Sequence, residues 1–234
     1  MTVVAGLDGC AGGWLCLWGE AEGGPVYGRI LCRLAELAEL VPAPAVVGAD
    51  IPIGLSAAGP RACDRAARRF LGRGRGSSVF PAPIRPMLAA GSYAEACAVG
   101  QRTDGRKLSR QTWNILPKIR EMDDFLAADP ARAGWVREVH PEVSFAAWNG
   151  GTPMAHNKKT AAGAAERRAL IEAGFGDAPA TVAAALPAEA YVQDDLLDAF
   201  AVLWSARRIA TGAAFRLPEV PASDERGLAM EIVA

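Results

Sequence analysis

The sequence predicts an α/β protein: one mixed five-stranded sheet with helices on both faces and a long helical insertion. Three observations predict it. Short apolar and β-branched runs crowd the first 55 residues and return at 135–145, while helical spacing dominates most of the remainder. The run AVVGADIPIGL (45–55) has a continuous apolar face, as a strand covered on both sides requires. At 234 residues with 51% hydrophobic and 22% charged side chains, the chain has the balance of an ordinary globular protein.

The elements follow in order. TVVAGLD (2–8) reads as a buried strand, Gly12 and Gly13 as a turn, and WLCLWGE (14–20) as a second strand. Gly23 and Gly24 mark a hairpin before a third strand, PVYGRILC (25–32). LAELAEL (34–40) has helical spacing and stops before Pro42. In the fourth strand Pro52 has no N–H to donate, so pairing should end near Asp50. RACDRAARRFLG (61–72) reads as a helix, and 73–86 as an irregular Gly-, Ser- and Pro-rich loop. Helical patterns follow at 92–99 and 115–128, then a fifth strand, WVREVHPEVSF (135–145). AAGAAERRALIEAG (161–174) and DDLLDAFAVLWSARRIA (194–210) read as helices, and LAMEIVA (228–234) as a short terminal strand. The first three strands suit an antiparallel meander; the fourth and fifth would join through crossovers. The expected organisation is one domain, 1–234, with the helical insertion at 61–130.

No apolar run reaches the ~20 residues of a membrane helix. The opening MTVVAGLDG lacks the basic n-region of a signal peptide. Five cysteines without metal-ligand spacing suggest reduced thiols, so a cytoplasmic location is expected. Cys10 reads as a small buried thiol. The formal net charge of −1 does not advertise a nucleic-acid partner, but its distribution is uneven. Residues 61–86 hold seven arginines against one acid, a local +6, and 186–200 hold four acids and no base, a local −4.

Carboxylates mark the ends of three apolar runs: Asp8, Asp50, and the group Asp194, Asp195 and Asp198. Acids delivered to one place by separate elements repel unless a positive charge lies between them, and a hard cation such as Mg²⁺ or Mn²⁺ is the usual solution. Asp8, Asp50, Asp195 and Asp198 are therefore candidate metal ligands and catalytic residues, expected to converge. Asp8 also reads as a turn aspartate, and the helix acids as N-terminal charge. Asp195 and Asp198, three apart, share a helix face, which leaves Asp194 as the cap. On a regular strand Glu138, His140 and Glu142 would share a face; Glu138 and His140 join the catalytic candidates, His140 as a general base or a structural histidine. Arg61, Arg65, Arg68 and Arg69 fall at i, i+4, i+7 and i+8, one helix stripe, and with Arg85 and Lys118 are candidate phosphate contacts. Arg120, Lys158 and Lys159 are weaker ones. Trp113 and Phe80 read as packing residues or as base-stacking platforms.

In the motifs GLDGCAGGW (6–14), ADIPIGL (49–55), RACDRAAR (61–68), SSVFPAPIRP (77–86), QTWNILPKIREMD (111–123), EVHPEVSF (138–145) and DDLLDA (194–199) the chain resembles an uncharacterised bacterial and archaeal family predicted to be ribonuclease H-fold nucleases, domain of unknown function 429. More distantly it is similar to Holliday-junction resolvases, which also pair a first-strand Asp with D-x-x-D-A on the last helix, here Asp195, Asp198 and Ala199. Those enzymes carry Glu where this chain has Asp50. The resemblance implies a ribonuclease H-like fold and a Mg²⁺- or Mn²⁺-dependent nuclease or phosphodiesterase, in which one or two carboxylate-bound cations activate water and stabilise the leaving oxygen. Nucleic acid is then the expected partner, and a homodimer is among the assemblies the sequence allows. Two other readings stay open: a nucleotide-dependent small-molecule kinase of the actin and sugar-kinase type, against which stands the absence of G-x-x-x-x-G-K-[ST], and a non-catalytic protein that binds nucleic acid or a partner.

Overall fold

The computed structural model describes residues 1–234. Three consecutive strands, β1 (Val3–Cys10), β2 (Gly13–Glu20) and β3 (Val26–Leu31), form an antiparallel meander. β4 (Val46–Ala49) pairs parallel with β1, and β5 (Val136–Glu138) pairs parallel with β4. The sheet order is β3-β2-β1-β4-β5. The helices are α1 (Ala62–Arg75), α2 (Tyr93–Asp104), α3 (Arg110–Ala128), α4 (Pro141–Trp148), α5 (Ala161–Phe175), α6 (Ala178–Ala185) and α7 (Gln193–Ala210). β6 (Arg216–Ser223) and β7 (Ala229–Val233) make a separate antiparallel ribbon. No helix is long and apolar enough to cross a membrane.

The two-residue alternation of a strand sorts the side chains of β1 and β4 between two cores. Ala5, Leu7, Val47, Ala49 and Ile51 pack with Ile119, Met122, Phe125 and Leu126 of α3. Val4, Leu15 and Leu17 pack on the other face with Ile171 of α5, Val182 of α6 and Leu197, Phe200 and Leu203 of α7. The 61–130 segment thus supplies, through α3, the cover of one sheet face. A third core joins Cys63, Ala67 and Leu71 of α1 to Val143 and Ala146 of α4 and to Ile232 of β7.

Two glycines set how closely α7 lies on the sheet. A β-carbon on Gly6 would fall 2.4 Å from the Leu203 nitrogen and 2.9 Å from the Ala199 carbonyl oxygen. One on Gly48 would fall 2.9 Å from Val202 Cγ1. Helix backbone therefore rests directly on strand backbone at β1, which the usual layer of intervening side chains would prevent.

Several boundaries depart from the expectations. One limit holds: pairing of the fourth strand ends at Asp50, whose N–H donates to the Leu7 carbonyl (2.9 Å), before Pro52, which has no donor. The fifth strand is only three residues, because Pro141 takes the first position of α4 and starts a helix where alternation suggested more strand. Glu138, His140 and Glu142 therefore do not share a strand face. Helix α3 begins at Arg110, capped by Ser109, whose hydroxyl accepts from the Thr112 N–H (3.0 Å). Neither α6 nor β6 is anticipated. The two prolines of RLPEVPAS argue against a strand, but a two-stranded ribbon tolerates missing donors on its open edge.

The Gly6 contact is checked by chemical denaturation of Gly6→Ala and Gly48→Ala. The first displaces backbone and should cost on the order of 3 kcal/mol; the second displaces a valine methyl and should cost on the order of 1 kcal/mol. Equal, small losses would mean that α7 does not lie directly on β1.

Candidate functional site

Asp8 and Asp50 are brought together by strand register. Leu7 and Ala49 are parallel partners on β1 and β4, so the next residue on each lies beside the other at the carboxyl ends of the strands. Both follow, by alternation, the glycines that face α7. Because that helix lies flat on the sheet, Asp198 one turn up from its N-terminus reaches the same point, buried like Asp8. Lys158, from the loop before α5, forms an ion pair with Asp198.

The electrostatics record the crowding. Burial first, then the charges of Asp50, Asp198 and Asp195, raise the Asp8 carboxyl well above its usual range, against the pull of Lys158. Burial and then Asp198 raise Asp50 to about 7, opposed by Lys158 and by a hydrogen bond with Asp8. Asp198, with Lys158 beside it, is still pushed by burial to about 6. Lys158 is itself raised: Asp198, then Asp50 and Asp8, outweigh its own desolvation. Three carboxylates thus share one ammonium.

Asp195, and not Asp194, caps the helix. Val192 precedes the first turn of α7, and its N–H donates to Asp195 Oδ2 (2.9 Å), so Asp195 does the capping. Asp194, Asp195 and Asp198 all line the cleft above the acids. Asp195 reaches Asp8 only as a neighbouring charge.

Glu138 is at the end of β5, but its carboxylate is already engaged. Arg61 grips both oxygens (2.7 Å each), and the Ile53 N–H donates to Oε2 (2.7 Å). The same guanidinium holds Asp64 (2.6 Å). Burial outweighs these contacts and raises Glu138 to about 7. Arg61 is therefore not one of a helix stripe: it precedes α1, is buried, and ties the Asp50–Ile53 segment to β5. Arg68 donates to the Val79 carbonyl (2.7 Å), and only Arg65 and Arg69 of the four are exposed. Arg85 is also buried, between Asp123 and Asp224. Lys118 donates to the Gly13 carbonyl and lies over the Trp14 ring, yet it still borders the cavity beside Asp8. Arg120 binds two backbone carbonyls, of Leu88 and Ala90. Glu142, on α4, pairs with the fully buried Arg167 of α5.

His140 caps α4 and lines the cleft, with Nδ1 buried and unpartnered. Burial lowers its pKa against Glu142 and a backbone hydrogen bond with Ser78, so the ring is neutral at pH 7. Phe80 borders both cavities at the site, whereas Trp113 packs edge-on against Tyr93 away from it. Cys10 is buried and its thiol pKa is raised, by burial first.

Two connected cavities adjoin the acids. An inner one of about 140 Å³ is bordered by Asp8, Asp50, Ile51, Val79 and Lys118. An outer cleft of about 550 Å³ runs between the 74–80 loop and Asn157–Lys159. Sequence reading gives Lys158 and Lys159 only as weaker phosphate contacts. The pairing of Lys158 with Asp198 has no local pattern, because it spans 40 residues.

Metal fit was tested on these side chains. No three His, Cys, Asp or Glu side chains stand around one point as a ligand set, and Lys158 contacts the acid of α7. The donor chemistry nevertheless fits: carboxylates outnumber the one ammonium among them three to one, and a divalent cation answers that excess. Asp8, Asp50 and Asp198 are the residues that would hold it, after Lys158 releases Asp198.

Over residues 6–223 the chain matches the family described as protein of unknown function (DUF429). The match spans nearly the whole chain, which belongs to that family. No curated protein and no solved structure matches it.

The raised acids give the site a pH signature. A carboxyl whose folded pKa lies above its ordinary 3.8 stabilises the fold below that value, and the contribution is lost as pH rises through the folded pKa, here about 6 to 7. Between about pH 4 and 7 the wild type should therefore lose stability relative to Asp50→Asn, with a slope of at most about 1.4 kcal/mol per pH unit per proton. His140 works in the opposite direction in both proteins and cancels in the comparison. Parallel melting curves against pH for the two proteins would refute the crowding.

Proposed function

We propose that this protein is a Mg²⁺- or Mn²⁺-dependent phosphodiesterase acting on nucleic acid, a nuclease. The observation that carries the reading is the excess of buried carboxylate at the ends of β1 and β4 and on α7, with a single ammonium among three acids. Burying like charges is costly, and a fold that needed only stability would place apolar residues there. The meander-then-crossover strand order supports the ribonuclease H-like resemblance on which the nuclease expectation rests.

A cation on Asp8, Asp50 and Asp198 would supply Lewis-acid activation of water and charge stabilisation at the leaving oxygen. The chain's own residues do the rest. Water adds to phosphorus, one P–O ester bond breaks, and the proton of the attacking water passes to the unpartnered Nδ1 of neutral His140. The leaving oxygen takes its proton from solvent. Lys158, displaced from Asp198, remains beside the phosphate as positive charge. Glu138 and Arg61 hold the segment that carries Asp50 and take no part in proton transfer. Arg65, which donates to the Pro60 carbonyl (2.8 Å), and Arg69 are exposed and would meet flanking phosphates.

The test is a Mn²⁺-dependent cleavage screen across single-stranded, duplex, hybrid and branched substrates. Asp8→Asn and Asp198→Asn should each lower turnover at least a hundredfold. Lys158→Met should enlarge the metal-induced rise in melting temperature, because the cation then meets the acids without a competitor. At a hundredfold excess over Kd, binding stabilises by about 2.7 kcal/mol. Absence of cleavage on every substrate, together with a melting temperature indifferent to metal, would end the reading.

A further inference from the structure

We infer that the site accepts one nucleotide unit at a time, free or at the end of a single strand, and not a continuous duplex laid across the sheet. The inference rests on the phosphodiesterase reading and specifies its substrate. Arg75, which lines the outer cleft, donates through Nε to the carbonyl of Met154, three residues before Asn157 on the opposite wall (2.7 Å). Both walls are fixed before any ligand arrives. The Val79 carbonyl is held by Arg68, and Ser78 donates to the Arg75 carbonyl (2.7 Å). Opposite, the N–H groups of Ala155 and His156 donate to Glu166 (2.7 and 3.0 Å). Opening the cleft to the width of a duplex would break the Arg75–Met154 hydrogen bond.

The enclosed volume suits a smaller object. About 550 Å³ lies within the range of small-molecule sites, and the inner cavity of about 140 Å³ extends it beside Asp8. The two share Phe80 and Ile115, an aromatic and an aliphatic face for a heterocycle. The cations that line the cleft are Arg75, Lys158 and Lys159, whereas Arg65 and Arg69 do not border it. Apolar surface, cations and acids thus line one cleft of small-molecule size.

The experiment measures binding in Ca²⁺ of three labelled probes: a dinucleotide, a twelve-residue single strand, and a blunt hairpin duplex of the same sequence. Hydrolysis is followed separately in Mn²⁺. Single strand or dinucleotide should bind at least tenfold more tightly than the duplex. Equal binding of dinucleotide and single strand assigns the free unit, and preference for the longer probe assigns the strand terminus. Phe80→Ala should weaken that binding about tenfold. Lys159→Ala, at an exposed position whose side chain makes no hydrogen bond, should lower the salt slope by about 0.7 without affecting folding. Duplex binding as tight as single-strand binding, or affinity and salt slope unmoved in Lys159→Ala, overturns the inference. Mn²⁺-dependent hydrolysis of the duplex at the single-strand rate does the same while leaving the phosphodiesterase reading intact. Tight single-strand binding without hydrolysis supports the nucleotide pocket and removes the hydrolase reading.

Discussion

The direct contact of α7 with β1 is the constraint on which the rest depends. Without a β-carbon at Gly6, the backbone of Ala199 and Leu203 lies against the strand. That spacing determines how far the first turn of α7 projects over the carboxyl ends of β1 and β4. Moved outward by one side-chain layer, the helix would leave Asp198 in solvent, where its charge costs little and influences little. At the observed spacing Asp198 is buried beside Asp8 and Asp50, and the three alter one another's protonation. Local packing of a helix on a sheet is thus converted into an electrostatic property of the cleft.

The chain handles buried charge in two different ways. Around the site, arginines are matched to acids by close ion pairs: Arg61 with Glu138 and Asp64, Arg85 with Asp123 and Asp224, Arg167 with Glu142. All but the Arg61–Asp64 pair join segments far apart in sequence, and breaking one by removing a partner would leave an uncompensated charge, a loss of about 3–5 kcal/mol for a buried pair. Arg61 is the most consequential for the site, since Glu138 receives the Ile53 N–H three residues beyond Asp50. At the centre of these matched pairs, Asp8, Asp50 and Asp198 are undermatched. Neighbouring pairs keep the surrounding backbone in place, so the acids cannot relieve their repulsion by moving apart.

Much of the fold was legible in the sequence, because it depends on local periodicity. The meander, the buried fourth strand and α7 each carry a pattern that burial enforces. The limits of strands were less legible. Pro141 both ends a strand and begins a helix. Asp8, Asp50 and Asp198 were legible as a group because acids at the ends of apolar runs contradict burial. The arginines were not: at the sequence level a helix stripe and a set of buried ion-pair partners have the same spacing. Arg61 and Arg85 differ from Arg65 and Arg69 only in what lies opposite them, on β5, α3 and the β6–β7 turn. Nothing within ten residues of Arg61 announces Glu138, which is 77 positions away.

The same distinction bears on how charge should be read at this site. A paired acid such as Glu138 has its lone pairs occupied and its position fixed, so it serves as support. An acid in excess has lone pairs and charge that only a mobile partner can satisfy. Lys158 is the one cation paired with these three acids: its side chain is partly exposed, and it comes from a loop rather than a helix or strand. On the metal-dependent reading proposed above, it would retain Asp198 when no other cation is near and yield it when one arrives. Arg167, buried in a helix and locked to Glu142, cannot act in that way. The use of lysine at the acid cluster and arginine at the supporting pairs therefore follows from their chemistry: a flexible point charge where exchange is needed, and a rigid planar fork where it is not.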